Sequence, residues 1–181
     1  NFTNRARIAV LLEVTSEHLD WHTDVEEYRN AKANLFNNQS EDDLCVYFDN
    51  NEICKGLVKG SKARKVRLGA NSCSIHLDEG GVVWPRGGFF LEECLVKGAH
   101  QMKNMAVAVA VARELGIEDD IIEKGLTEFE GLPMRLQFKG KIDDVSFYND
   151  SYATRPEAAL AAVEAFENSN LAVVLGGSDK G

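Results

Sequence analysis

Ten consecutive residues, Glu13 to His22 (EVTSEHLDWH), carry three carboxylates, two imidazoles and an indole directly after an apolar run. Imidazoles beside carboxylates can hold a divalent cation or exchange a proton near neutral pH. A lysine follows on a helical pattern over 23–36. With Val25 at zero and about 100° per residue, Lys32 falls at roughly 340°, between Leu35 and Phe36 on the inward arc. An ammonium turned toward a core needs a partner, a lowered pKa or a chemical change. Two readings stand side by side. In one, Lys32 snorkels and His18 caps a loop. In the other, Lys32 and His18 converge, with Glu17 and Asp20 nearby, on a ligand at a strand's end, where open α/β sheets bind.

The elements that must position these groups alternate. Arg7–Val14 (RIAVLLEV) is a continuous apolar run of strand length, as a parallel strand covered on both faces requires. The 23–36 helix opens on a capping box of Thr23 and Glu26, with Val25, Tyr28, Leu35 and Phe36 on one face. A second strand is expected at 43–49, a short helix near 51–60, and a third strand near 65–69. Residues 73–96 read as antiparallel ribbon turning at Gly80-Gly81 and Gly87-Gly88. The 100–115 segment is apolar nearly all round, which predicts a buried helix stopped by Gly116. An amphipathic helix at 118–129 should turn Ile121, Ile122, Leu126 and Phe129 inward. The pattern breaks at 130–135 (EGLPMR), so the boundary between a unit of 1–131 and one of 132–181 is placed there. A β-α-β unit is then expected, from a strand at 145–150, a helix with Pro156 at its first position, and a strand at 171–175.

Composition narrows the classes. With 181 residues, 44% of them apolar, the chain can bury a core. A formal net charge of −9 argues against a nucleic-acid surface. Cys45, Cys54, Cys73 and Cys94 form no CxxC pair and read as thiols of a reducing compartment. No run approaches the roughly 18 apolar residues of a membrane span, and no signal peptide opens the chain, so a cytoplasmic protein without membrane insertion is expected. A start without methionine and a stop at 175–181 (LGGSDKG) read as a piece of a longer protein.

These residues resemble a known family. The stretch from Val14 to Phe36 is similar to the Mur ligase pattern T-x-D-H-L-D-x-H followed by Y-x-x-A-K-x-x-(I/L)-F. Residues 98–104 (GAHQMKN) resemble its G-x-H-N-x-x-N, with Gln101 replacing an asparagine. Residues 129–135 resemble F-x-G-L-P-H-R, with Met134 replacing the histidine; 149–158 resemble N-D-S-K-A-T-N, and 175–181 resemble L-G-G-x-D-K-G. The resemblance implies an α/β fold: the latter part of a central ATPase domain, mostly parallel sheet with helices and a small antiparallel ribbon, followed by the start of a Rossmann-like C-terminal domain.

It also implies a chemistry. Mur ligases are ATP-dependent amino-acid ligases of peptidoglycan precursor synthesis. The combination of motifs resembles the branch that joins D-glutamate to UDP-N-acetylmuramoyl-L-alanine through an acyl phosphate. By the resemblance His18 holds Mg2+, Lys32 holds the same ion as a carbamate, and Asn104, Arg135 and Asp150 grip ATP. Lys180 and Thr154 then lie near the incoming amino acid. Tyr152 stands where that branch carries a lysine, which leaves open a sibling ligase adding another amino acid; a non-catalytic nucleotide-binding relative is the reading from another class. The family's phosphate loop, G-x-x-G-K-[ST], does not occur in this sequence, so these 181 residues are expected to be inactive alone.

Overall fold

The computed structural model describes residues 5–12, 14, 21–69, 75–78, 80–85, 87–167 and 169–177. A six-stranded sheet runs in chain order from β1 (Ile8–Leu11) through β2 (Leu44–Phe48), β3 (Arg64–Gly69), β4 (Ile75–Asp78) and β5 (Gly81–Trp84) to β6 (Gly87–Phe90). The first three pairings are parallel and the last two antiparallel, so the expected parallel sheet and ribbon are one continuous surface.

β2 shows why the sheet needs cover on both faces: all five of its residues are buried. Leu44, Val46 and Phe48 point to one side, where they meet Met105, Ala106, Val109 and Ala110 of α3 (Ala99–Glu114) and Ile122 of α4 (Asp119–Thr127). Cys45 and Tyr47 point to the other, against Tyr28 of α1 (Val25–Ala33) and Cys54 and Val58 of α2 (Glu52–Val58). Strand alternation feeds two separate cores from one sequence. Burial pushes the Cys45 thiol up to about 11, so it is inert packing material.

Several local expectations shift. The capping box sits one residue later than expected: Asp24 is the N-cap and accepts from the Glu27 N–H, while Glu27 accepts from the Thr23 N–H and hydroxyl. Gly87 and Gly88 lie inside β6 rather than in a turn, and position 87 requires glycine since a side chain there would strike the Trp84 indole at 2.4 Å. α3 buries one stripe instead of its whole circumference, and it ends at Gly116 (φ +77) as expected. On α4, Ile122 is buried and Leu126 partly so, but Ile121 is exposed, as is Phe129, which lies beyond the end of the helix.

The 132–181 region departs most. A two-stranded antiparallel ribbon, β7 (Gln137–Ile142) with β8 (Val145–Asn149), precedes α5 (Pro156–Glu164), whose Pro156 is in the first turn as expected. Phe138, Tyr148 and Phe166 stack in series and join ribbon to helix. The expected strand at 171–175 pairs with nothing among the described residues, and Val174 is 99% exposed. An apolar run adopts strand hydrogen bonding only where a neighbouring strand supplies donors and acceptors.

The loop before β2 is fastened by a buried carboxylate. Asp43 accepts from Arg5 Nε at 2.6 Å and from the Ser40 N–H at 2.7 Å. Arg5 first, then the Ser40 amide, hold its pKa at about 2, below the ordinary 3.8. The sign follows: the group stabilises the fold above its unfolded value, and that contribution disappears as pH falls through the folded one. Thermal midpoints should therefore decline between about pH 4 and pH 2, and Asp43→Asn should flatten that part of the profile while lowering the midpoint at neutral pH.

Candidate functional site

Two places gather the chemistry-bearing residues. The first lies where β1 runs out. α1 crosses beside that end, and a groove of about 420 Å³ opens between them, lined by Val10, Leu11, Leu12, Ala31, Lys32, Asn34 and Leu35. Lys32 stands at its rim, exposed, with its ammonium 5.3 Å from the centre of the Tyr28 ring. The inward placement expected for it is corrected. Lys32 keeps its helical position between Tyr28 and Val25, but α1 stops one residue later at Ala33, and at that end the side chain reaches an open groove instead of a covered core. Tyr28 and Phe36 fill the core, and the lysine reaches along Tyr28 to the groove.

His18, with Glu17 and Asp20, lies outside the described residues. The second histidine of the stretch is described: His22 packs on Tyr28, ring centres 5.5 Å apart, with Nδ1 3.8 Å from Glu27. That nitrogen is buried and makes no hydrogen bond among the described residues. His22 and Lys32 thus both contact the Tyr28 ring, and the spacing of His22 in the motif is the signal that points to it. Among the described residues no three His, Cys, Asp or Glu side chains gather as a metal site. What the described residues show is an exposed Lys32 amine at the open rim beside the end of β1.

The second place joins α3 to the region after residue 131. Gly98, at φ +98, starts α3 and lets the His100 ring fold back over it. His100 Nδ1 is buried without a hydrogen bond among the described residues, and burial holds the imidazole below its ordinary pKa, with the Asp150 carboxylate pulling the other way. One turn along, Asn104 is exposed and donates to Gln101 at 3.4 Å. Gln101 thus occupies the side chain expected to reach a ligand.

Arg135 and Asp150 flank the β7–β8 ribbon at the same end, linked through the residue that follows the arginine. Asp150 Oδ1 accepts from the Leu136 N–H at 2.8 Å. Arg135 Nη1 donates to the Tyr152 carbonyl at 2.9 Å, and its guanidinium lies 5.5 Å from the centre of the Tyr152 ring. Thr154 is exposed just before α5. Lys180 lies outside the described residues. His100 and Tyr152 are the contributors that the sequence did not assign; a histidine in the α3 motif and an aromatic at a lysine position were the signals.

Residues 2–112 match the Mur ligase middle domain. A UDP-N-acetylmuramoylalanine--D-glutamate ligase of Geobacillus sp. (strain WCH70) is 35% identical over 98% of this chain and 40% of its own length. The protein of the same name from Aquifex aeolicus (strain VF5) is 33% identical over 99% of this chain and 42% of its own. The chain thus spans about two fifths of the relatives it matches. Among solved structures, MurF from Acinetobacter baumannii superposes with a TM-score of 0.73 over 92% of this chain and 38% of its own, at 21% identity, a likeness of fold. With the middle-domain match covering more than half of its residues, and its sheet carrying helices on both faces as described, this chain belongs to the Mur ligase family.

Proposed function

We propose that the protein to which this chain belongs is an ATP-dependent ligase that joins D-glutamate to UDP-N-acetylmuramoyl-L-alanine in peptidoglycan precursor synthesis. The observation that carries this reading is the 33–35% identity to relatives of that name, which extends over 98–99% of this chain. ATP phosphorylates the terminal carboxylate of the acceptor, and the amine of the incoming amino acid displaces phosphate through a tetrahedral intermediate. The charge that develops calls for prearranged cations and donors.

Arg135 offers a guanidinium to a phosphate, Asp150 retains a second oxygen for a ribose hydroxyl, and Asn104 presents an amide one turn from His100. Lys32, as a carbamate, and His18 would hold Mg2+, which when bound neutralises phosphate charge. Thr154 and Lys180 are assigned to the amino acid. Because the candidate groups lie on both sides of the 130–135 break, closure about it would complete the site. Cytoplasmic location follows from the precursors; among the described residues no helix is long and apolar enough to cross a membrane.

Tyr152 favours a second reading, a sibling ligase with another amino acid. The test is a panel of amino acids given to the full-length protein with ATP, Mg2+ and UDP-N-acetylmuramoyl-L-alanine, followed by phosphate release and product mass. Release that depends on D-glutamate is the expected result. Release with a different amino acid moves the protein to the sibling branch, and nucleotide binding without any release makes it a non-catalytic relative.

A further inference from the structure

The chain around Arg135 is built more tightly than its exposure requires. Met134 and Leu136, the residues on either side, both occupy left-handed backbone, at φ +58 and +45. Non-glycine residues enter that region at a cost and persist there only where neighbours hold them. Here the neighbours are identifiable. The Met134 N–H donates to Gln137 Oε1 at 3.2 Å, the Leu136 N–H to Asp150 at 2.8 Å, and the Tyr152 N–H to the Met134 carbonyl at 3.1 Å. The Arg135 N–H itself returns to the Leu132 carbonyl at 3.2 Å.

Tyr152 closes this arrangement twice. Its carbonyl takes one N–H of the guanidinium, and the guanidinium carbon sits over its ring, 5.5 Å from the centre. An unsupported arginine on an exposed loop samples many rotamers, and a ligand must freeze them on binding. A guanidinium held by a carbonyl and an aromatic ring has lost part of that freedom beforehand, while its remaining N–H groups stay available to an anion. Tyr152 is 52% exposed, so its ring contributes little to any core and its position is otherwise unexplained.

Resting on the nucleotide role proposed for Arg135, we propose that Tyr152 is a positioning residue: its ring and carbonyl preset the Arg135 guanidinium for the phosphates of ATP, and the residue at position 152 thereby tunes nucleotide affinity. It acts through Arg135 and need not touch the substrate.

The experiment uses the full-length protein and measures KM for ATP, KM for the amino acid, kcat, and the Kd of a non-hydrolysable ATP analogue. Tyr152→Ala should raise the ATP KM and the analogue Kd about threefold, the size of an exposed cation–π contact, with the amino-acid KM unchanged. Tyr152→Phe, which keeps ring and carbonyl, should restore wild-type values, whereas a merely structural role would show the two variants differing in melting temperature and not in ATP KM. Arg135→Ala should exceed Tyr152→Ala, and Tyr152→Ala added to it should change nothing further. If Arg135→Ala weakens the analogue and Tyr152→Ala does not, the positioning role falls while the nucleotide role stands. Should Arg135→Ala leave the analogue Kd unchanged, both fall together. A shift in the amino-acid KM alone would overturn the proposal and assign position 152 to that substrate.

Discussion

Replacing Lys32 by alanine in the full-length protein should lower kcat/KM by about 10²–10³-fold, the cost of removing one prearranged charge from a phosphoryl-transfer site. The geometry makes the cause testable. Lys32 stands at the open rim of the groove, over the Tyr28 ring, where its amine is accessible to dissolved carbon dioxide and packs in no core. Stability should therefore hardly change, since surface substitutions away from caps and cores stay within about 0.5 kcal/mol. Lys32→Arg separates the two ways in which the residue could act. Arginine keeps the positive charge and cannot form the carbamate, so it should be as inactive as alanine if an anion is needed. Short carboxylates added to Lys32→Ala should recover part of the activity by supplying that anion in solution. Full activity in Lys32→Arg would show that a cation suffices and would remove the carbamate from the account.

The second large effect lies at Gly98. Its backbone, at φ +98 and ψ 141, belongs to a region that a side chain resists, and a Cβ there would come within 2.7 and 2.9 Å of the His100 ring and 3.2 Å of Ala165. Gly98→Ala should cost about 3 kcal/mol, combining backbone strain with overpacking. Gly116→Ala is the matched control: its φ is also positive, at +77, but nothing lies within 4 Å of the added carbon. It should cost only the left-handed penalty of about 1 kcal/mol. Urea unfolding of both variants measures the difference, and equal midpoints would mean that His100 and Ala165 yield freely to the new methyl group.

Much of this organisation could be read from residue order, and the exceptions have physical causes. The apolar runs at β1 and β2, Gly116 after α3 and Pro156 in the first turn of α5 are local signals, decided within a few residues of themselves. Helical angle puts Lys32 on the arc of Tyr28 and Val25, but it does not tell whether that end of the helix is covered, and beside Asn34, where α1 stops, the groove is open. Ile121 and Phe129 carry the right spacing for burial and stay exposed, since a pattern tells which face is apolar and not how much of it a partner covers. For the site, Arg135 and Asp150 come to the same end of the β7–β8 ribbon because their motifs flank it, a local connection. The Arg135–Tyr152 pair depends on Met134 and Leu136 adopting left-handed backbone, and no residue type at those positions announces it. His18 and Lys180 lie outside the described residues.

The bare run at 171–175 has a practical consequence for anyone preparing this polypeptide by itself. Leu171, Val173, Val174 and Leu175 present a β-prone, uncharged segment to water with no neighbouring strand among the described residues, and Ile142, Val145 and Phe147 are exposed on the ribbon. Such a segment is a template on which another copy can add as a strand. Concentrated samples will therefore tend to cluster through this flank, and a charged residue introduced at Val174 is the least disruptive way to keep them dispersed.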